Sequence, residues 1–567
     1  MNRRDLAAMA GGLFASGSMG TLWSAVAPQV GASSQNETSQ FRFFDVHSFG
    51  AAGDGSRLDS AAINSAIDAA AAVGGGFVYV RPGVYLCGTV VLKSNVTLYL
   101  EAGATILGSK TISDYSPNPG PHAKGDANQK HLIFARDARN VGLAGPGRID
   151  GQGAAFWVPS NRKVPPPEDG WKDVATYDWK PVDRPSPMLE FVECESLRIE
   201  DVRIENAPGW TLRPANCNNV TIRGIRIKNP VIGPNTDGID LTGCTNVFIS
   251  DCHIDTGDDA ICLKSENPYG DEPRISRNIT ITNCVLTCCC NGLKFGTSTR
   301  GGYENITFSN CVIANDDVPL NARVISGIAL EMVDGGWLEG VTISNIRMQR
   351  VRTPIFLRRG IRHAAADGTA GVLRGVMMEN IHAIGAILTS SVTGLPGFDV
   401  EDVTLSNIRI DTHEGGQEEW VSREVPEVPK AYPEARMFGR LPSYGFYCRH
   451  VKGLRIRDLV LETKVPDARP TIVCDDVKDL DIDGLRAARI TTAQPVIKLI
   501  QTRGAWLRGC AAPENTDAFV RVEGEHTDNV LVTNCDLRAA KRAIDEASGV
   551  PVQKAIAVAN ITANQTT

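Results

Sequence analysis

Apolar and polar positions alternate along most of the chain, and they do so in copies of one short phrase. Asn-Val-Thr-Ile-Arg-Gly-Ile-Arg-Ile occupies 219–227, Asn-Val-Phe-Ile-Ser-Asp-Cys-His-Ile 246–254, and Asn-Ile-Thr-Ile-Thr-Asn-Cys-Val-Leu 278–286. Further copies follow at 305–313, 340–348 and 402–410, with weaker ones at 196–204, 375–383, 453–461, 479–487 and 529–537. Period-two alternation predicts strands, and the polar residue in mid-phrase predicts a turn. The first copies start 27, 32 and 27 residues apart. Short strands at such a period predict a β-solenoid, in which each coil pairs with the next and equivalent residues stack. The turn position holds Asn283, Asn310, Asn345, Asn380, Asn407 and Asn534. Asparagine tolerates the left-handed conformation, so an amide ladder along one bend is expected.

The pattern changes near the N-terminus. Residues 59–69 carry apolar positions at helical spacing, Gly74-Gly75-Gly76 stops them, and Phe77-Val78-Tyr79-Val80 predicts a strand. A solenoid end exposes unpaired strand edges, so this unit is expected to cap it. The fold class is therefore all-β, a parallel β-helix with a small helix-containing N-terminal cap. Residues 111–135, 154–186 and 411–445 lack periodicity and are expected as loops beside the body. The expected organisation is 1–27 as an export signal, 28–40 as a linker, 41–110 as the cap and first coils, 111–545 as the catalytic β-helix and 546–567 as a tail.

Composition narrows the function. A net charge of −7 lacks the basic excess of a nucleic-acid binder. Arg3-Arg4 before a soft run rich in Gly, Ala and Ser resembles a twin-arginine signal, so the mature protein is expected outside the cytoplasm, periplasmic or secreted, and not in a membrane. Of the fifteen cysteines, Cys252, Cys284, Cys311 and Cys535 share one repeat position, which predicts packing rather than bridges. Cys288-Cys289-Cys290 has no CxxC pair or His cluster at zinc spacing, so no metal is expected.

Three carboxylates carry the candidate chemistry. Asp237 lies in Asn235-Thr236-Asp237-Gly238, and Asp258 and Asp259 lie 21 and 22 residues on, about one coil. Stacking brings them together. Crowded aspartates cannot all ionise, so one is expected to keep a proton near neutral pH, the equipment for cleaving a glycosidic bond with a protonated and an ionised carboxyl. A calcium site or a solvated acidic turn is the alternative reading of the same spacing.

Asn235-Thr236-Asp237-Gly238 with Gly257-Asp258-Asp259-Ala260-Ile261-Cys262-Leu263-Lys264-Ser265 resembles the paired signatures of glycoside hydrolase family 28, the polygalacturonases and rhamnogalacturonases. Ile149-Asp150-Gly151-Gln152-Gly153 and Pro208-Gly209-Trp210-Thr211-Leu212 extend the resemblance over roughly 44–350. It implies a right-handed parallel β-helix and inverting hydrolysis of pectic polysaccharides, with no cofactor or metal. Asp258 is implied as the general acid, with Asp237 and Asp259 activating water on the opposite face.

The chain also departs from that family. Asn291 stands where a His of Gly-His-Gly is usual, and Ala329 and Glu331 stand where an Arg-Ile-Lys is usual. Alternation points Lys264, Lys294 and Glu331 outward. These lysines, with Arg300 or Arg323, are expected to bind an anionic group in a relocated position, with Glu331 contacting a sugar hydroxyl or Lys294. The alternative is that the lysines only neutralise the aspartates. Trp210 is the expected sugar platform; Trp171, Trp179 and Tyr269 are weaker candidates. The expected partner is a polysaccharide or oligosaccharide. A glycosidase for a neutral sugar, a polysaccharide lyase and a non-catalytic carbohydrate-binding solenoid are the alternatives.

Overall fold

The computed structural model describes residues 42–118, 129–160, 179–316, 318, 322–488, 494–547 and 554–563. The expected export signal, the linker and Trp171 lie outside the described residues. The described chain builds a right-handed parallel β-helix in which thirty-nine strands join one ladder.

The repeat read from the sequence is the coil register. Val220 pairs with Val247, then Ile279, Ile306, Val341, Val376, Val403, Leu454 and Leu480 on successive coils. The column is buried throughout. Two residues on, Ile222, Ile249, Ile281, Phe308, Ile343, Met378 and Leu405 form a second buried column. Each apolar residue thus lies over its copy from the previous coil, about 4.8 Å away, and the core is a stack of like on like. The cysteines join it. All fifteen are unbridged, and Cys252, Cys284 and Cys311 stack as small buried residues, the Cys284 backbone N–H donating to Cys311 Sγ at 3.3 Å.

The expected bend asparagines all have positive φ, from 50° to 57°. The amide ladder is continuous from Asn310: Asn345 donates to Asn310 at 3.0 Å, Asn380 to Asn345 at 3.0 Å and Asn407 to Asn380 at 2.7 Å. Asn283 donates instead to Asp251, at 3.4 Å. The first residue of each copy makes another ladder, with Asn278 donating to Asn246 at 2.9 Å and Asn305 to Asn278 at 3.3 Å. Replacing Asn345 by Ala is expected to cost about 1–2 kcal/mol from the left-handed backbone alone, plus two amide bonds. The Gly variant, which relieves the backbone and loses only the amides, is expected to be the more stable of the two. Thermal midpoints of both variants check this ordering.

The predicted helix spans Ser60–Ala72 and buries Ile63, Ala66, Ile67 and Ala70 against the first coils. Asp59 before it accepts from the backbone N–H groups of Ala52 and Gly53, at 2.7 and 2.9 Å, which fastens the incoming loop to the helix start. At the other end the stacking passes the expected boundary at 545: Ala555–Val558 pairs with Asp528–Thr533, and Ile561 bridges to Asp536. Strand pairing depends on backbone groups, so the weak apolar pattern there hid this last rung. No helix among the described residues is long and apolar enough to cross a membrane.

Two aperiodic segments pack against the body. Trp157–Pro159 and Trp179–Pro181 form an antiparallel pair. Residues 413–445, which contain no strand, lie as a strap over the outer face of the later coils. Val425, Phe438 and Leu441 of the strap bury against Ala329, Phe356, Tyr447 and Val473.

Candidate active site

Asp237 and Asp259 occupy equivalent places on neighbouring coils. Ile239 pairs with Ile261 in register, and the Gly238 N–H donates to the Asp259 carbonyl at 2.9 Å. Asn291 continues the column, its carbonyl accepting from the Ala260 N–H at 2.9 Å. The local sequence follows from close packing. A Cβ on Gly238 would lie 2.4 Å from the Ala260 carbonyl oxygen, and one on Gly257 2.6 Å from the Pro230 carbonyl oxygen, so glycine flanks the acids where coils approach most closely.

The acids are largely walled from solvent and feel one another's charge. Burial pushes the Asp237 carboxyl well above its ordinary value, and the charges of Asp258, Asp240 and Asp259 push the same way against Lys264. Asp258 keeps part of its surface open, yet the surrounding walls raise it to about 7; Asp259 adds to the rise, while Lys294 and a hydrogen bond with Cys290 oppose it. Strongly interacting carboxyls titrate jointly, so these protons belong to the cluster.

Asp259 has a different setting. Its Oδ1 accepts from the Asn291 backbone N–H at 3.0 Å and from the Asn291 side-chain amide at 2.7 Å, and Lys294 Nζ lies 3.1 Å from its Oδ2. Lys294 is 6 % exposed and also stands 3.8 Å from Glu331 Oε2. Glu331 is fully buried, and that burial raises its carboxyl to about 8 although Lys294 pulls the other way.

Lys264, on the next outward column, sits 3.3 Å from buried Asp240 and 4.8 Å from the Trp210 ring centre. Burial raises Asp240 to about 6, with Lys264 opposing. Beyond it Glu190 and Arg213 form a buried pair at 2.8 Å. The floor is thus a mosaic of paired charges whose lysines already have carboxylate partners. Lys264 and Lys294 each face a carboxylate, and Lys294 also stands near Glu331.

One cluster among the described residues, Asp258, Asp259 and Cys290, brings possible metal-ligating atoms within 4.8 Å of one another. It does not suit a cation. Calcium takes six to eight oxygens. Asp259 already accepts two N–H groups, and the Lys294 ammonium beside it would repel a metal.

Residues 82–431 match the family described as glycosyl hydrolases family 28. The chain belongs to that family. This family 28 protein is accordingly a glycoside hydrolase. It is 28% identical to a probable polygalacturonase from Vitis vinifera, over 64% of this chain and 73% of that one. It is 26% identical to an endo-polygalacturonase from Pectobacterium carotovorum subsp. carotovorum, over 48% of this chain and 65% of that one. In fold it is similar to a hyperthermoactive exopolygalacturonase from Thermotoga maritima, with a TM-score of 0.55 at 24% identity over 74% of this chain and 92% of that one.

The family 28 site gathers most of the residues expected from the sequence: Asp237, Asp258, Asp259, Asn291, Lys294 and Glu331, with Lys264 and Trp210 adjoining. Asn235 is exposed at the rim, where its Oδ1 accepts from Arg184 at 3.3 Å. Arg300 is exposed and lines a cavity with Ser298, Arg362 and His363. Arg323 donates from Nε to the Val318 carbonyl of its own loop, at 3.3 Å. The Arg136 guanidinium carbon lies 4.6 Å from the Tyr269 ring centre and Trp179 packs on the core, so both rings already have protein neighbours.

The sequence reading missed three participants. Arg184 donates to the Pro208 and Pro234 carbonyls at 2.8 and 2.6 Å beside the acids, and burial lowers it to about 10. Tyr432 reaches Lys294 from the strap, its Oη 3.2 Å from Nζ. Asp240 was visible in the alternation, outward between Ile239 and Leu241.

Proposed function

We propose that the protein hydrolyses the terminal linkages of uronate-containing, pectin-type oligosaccharides with inversion at the anomeric carbon. The observation that carries this reading is the convergence of three aspartates in two unlike settings. Asp258, partly open and raised to about 7, protonates the leaving oxygen. Asp259, whose carboxylate accepts two N–H groups beside an ammonium, deprotonates the attacking water, and Asp237 on the coil before it, which burial keeps protonated, orients that water. The proton taken from water and the proton given by Asp258 balance over one turnover. Relatives named polygalacturonases support the substrate class. The strap over the later coils supports attack at a chain end, because it occupies the face along which a longer polymer would continue.

The test is a panel of pectic oligosaccharides followed by NMR. The expected result is release of a terminal sugar whose first-formed anomer is inverted, with activity falling as pH rises through about 7 and Asp258 loses its proton. Retained configuration, or an unsaturated uronate absorbing in the ultraviolet, would overturn it. A neutral glycan is the second reading, and the acidic floor with Glu331 at its end favours it.

A further inference from the structure

We propose that Arg362 receives a carboxylate of the substrate and that Tyr432 carries the sugar ring bearing it. This deepens the pectic reading above and rests on it. Among the described residues, both lysines of the floor beneath the reacting bond already face carboxylates, and Arg184 is tied to backbone carbonyls. Lys294 lies between Asp259 and Glu331, and Lys264 faces Asp240. Asp237 and Asp258 add further acid, so a carboxylate placed over the floor would be repelled. The cation for it must stand beside the floor.

Tyr432 marks where. The residue is 56 % exposed although neighbouring parts of the strap are buried. Lys294 Nζ lies 5.5 Å from the ring centre and the Arg362 guanidinium carbon 6.0 Å from it. Lys294 in turn touches Asp259, so a sugar resting on Tyr432 is close to the reacting bond. An exposed aromatic residue beside two cations suits a sugar ring with an anionic substituent.

Arg362 is held ready for that substituent. Its Nε donates to Asp334 Oδ1 at 2.8 Å, and its Nη2 to the Thr297 carbonyl at 3.1 Å and to Asp334. Nη1 has no hydrogen-bond partner among the described residues. Asp334 is buried and also binds His363 Nδ1 at 2.8 Å, which fixes the anchor itself. A guanidinium fastened on two of its nitrogens presents the third at little entropic cost. Arg362 lines a cavity of about 200 Å3 with Arg300, Ser298 and His363; Glu266 and Asp271 also line it. Arg300, offered by the sequence as an anion binder, adds an exposed cation beside the half-buried Arg362.

The experiment compares trigalacturonate with its methyl ester as substrates of the full chain. Arg362→Gln is expected to raise KM on the acid about tenfold or more, with kcat within about twofold and no change on the ester. Should the glutamine variant fail to fold, Arg362→Lys decides: it keeps a cation beside Asp334 but not the fork, and about a threefold rise on the acid alone is expected. Tyr432→Ala is expected to raise KM on both substrates alike. An Arg362 variant that loses equally on acid and ester, or loses on neither, overturns the proposal while leaving pectic hydrolysis intact. A wild-type protein that cleaves neither substrate overturns the pectic reading, and the assignment of Arg362 falls with it.

Discussion

Asp258→Asn is expected to lower kcat on a pectic oligosaccharide by about a thousandfold or more while leaving the fold intact. Proton transfer to the leaving group contributes about a hundred- to ten-thousandfold, and asparagine cannot supply the proton. A glycoside with a nitrophenyl leaving group needs little protonation, so the variant should lose far less on it. Stability gives an independent readout. Burial and Asp259 raise Asp258 from its ordinary 3.8 to about 7. Between those values the native state keeps a proton that the unfolded chain releases, so this group's contribution to stability falls as pH rises through that window. The asparagine variant should therefore show a thermal midpoint less dependent on pH between about 4 and 7. Equal losses on both leaving groups would remove Asp258 from the role of acid.

Lys294→Met should be the most damaging single change to the site's structure. It leaves Asp259 and Glu331 buried without the cation between them, and breaking a buried ion pair from one side costs about 3–5 kcal/mol. The loss of activity should appear in kcat, because Asp259 is the group disturbed. At a pH above about 8, where Glu331 is ionised, adding Glu331→Gln removes one of the two stranded carboxylates and should restore part of the lost stability. Denaturant midpoints of the single and double variants measure this, and a single variant as stable as wild type would refute it. A rise in KM confined to acidic substrates, with kcat unchanged, would instead make Lys294 a substrate ligand.

The parts of the molecule legible in the sequence are those in which a residue's neighbour is its own copy one coil earlier. Val220 over Val247 and Asn345 over Asn310 follow from spacing alone, and so does the placing of Asp237 beside Asp259. Alternation turned Lys264, Lys294 and Glu331 outward. It did not give their register: Lys294 lies opposite Cys262, and Lys264 is displaced by two positions. The displacement gives each lysine its own acid. Arg184, Arg362 and Tyr432 lie outside the repeating phrase, where periodicity carries no positional information. Tyr432 reaches Lys294 across 138 residues, a contact decided by how the strap's apolar side chains settle on Ala329 and Phe356. The last rung at 555–558 escaped for the related reason that backbone pairing leaves a faint mark on side-chain pattern.

The strap has a consequence for traffic. On the terminal-cleavage reading proposed above, the strap would close one direction along the stacked rungs to a long glycan, and the severed unit would leave by the side from which the glycan came. The shortened chain would then have to back out to let it pass. Successive cuts then become separate visits rather than steps of one continuous slide.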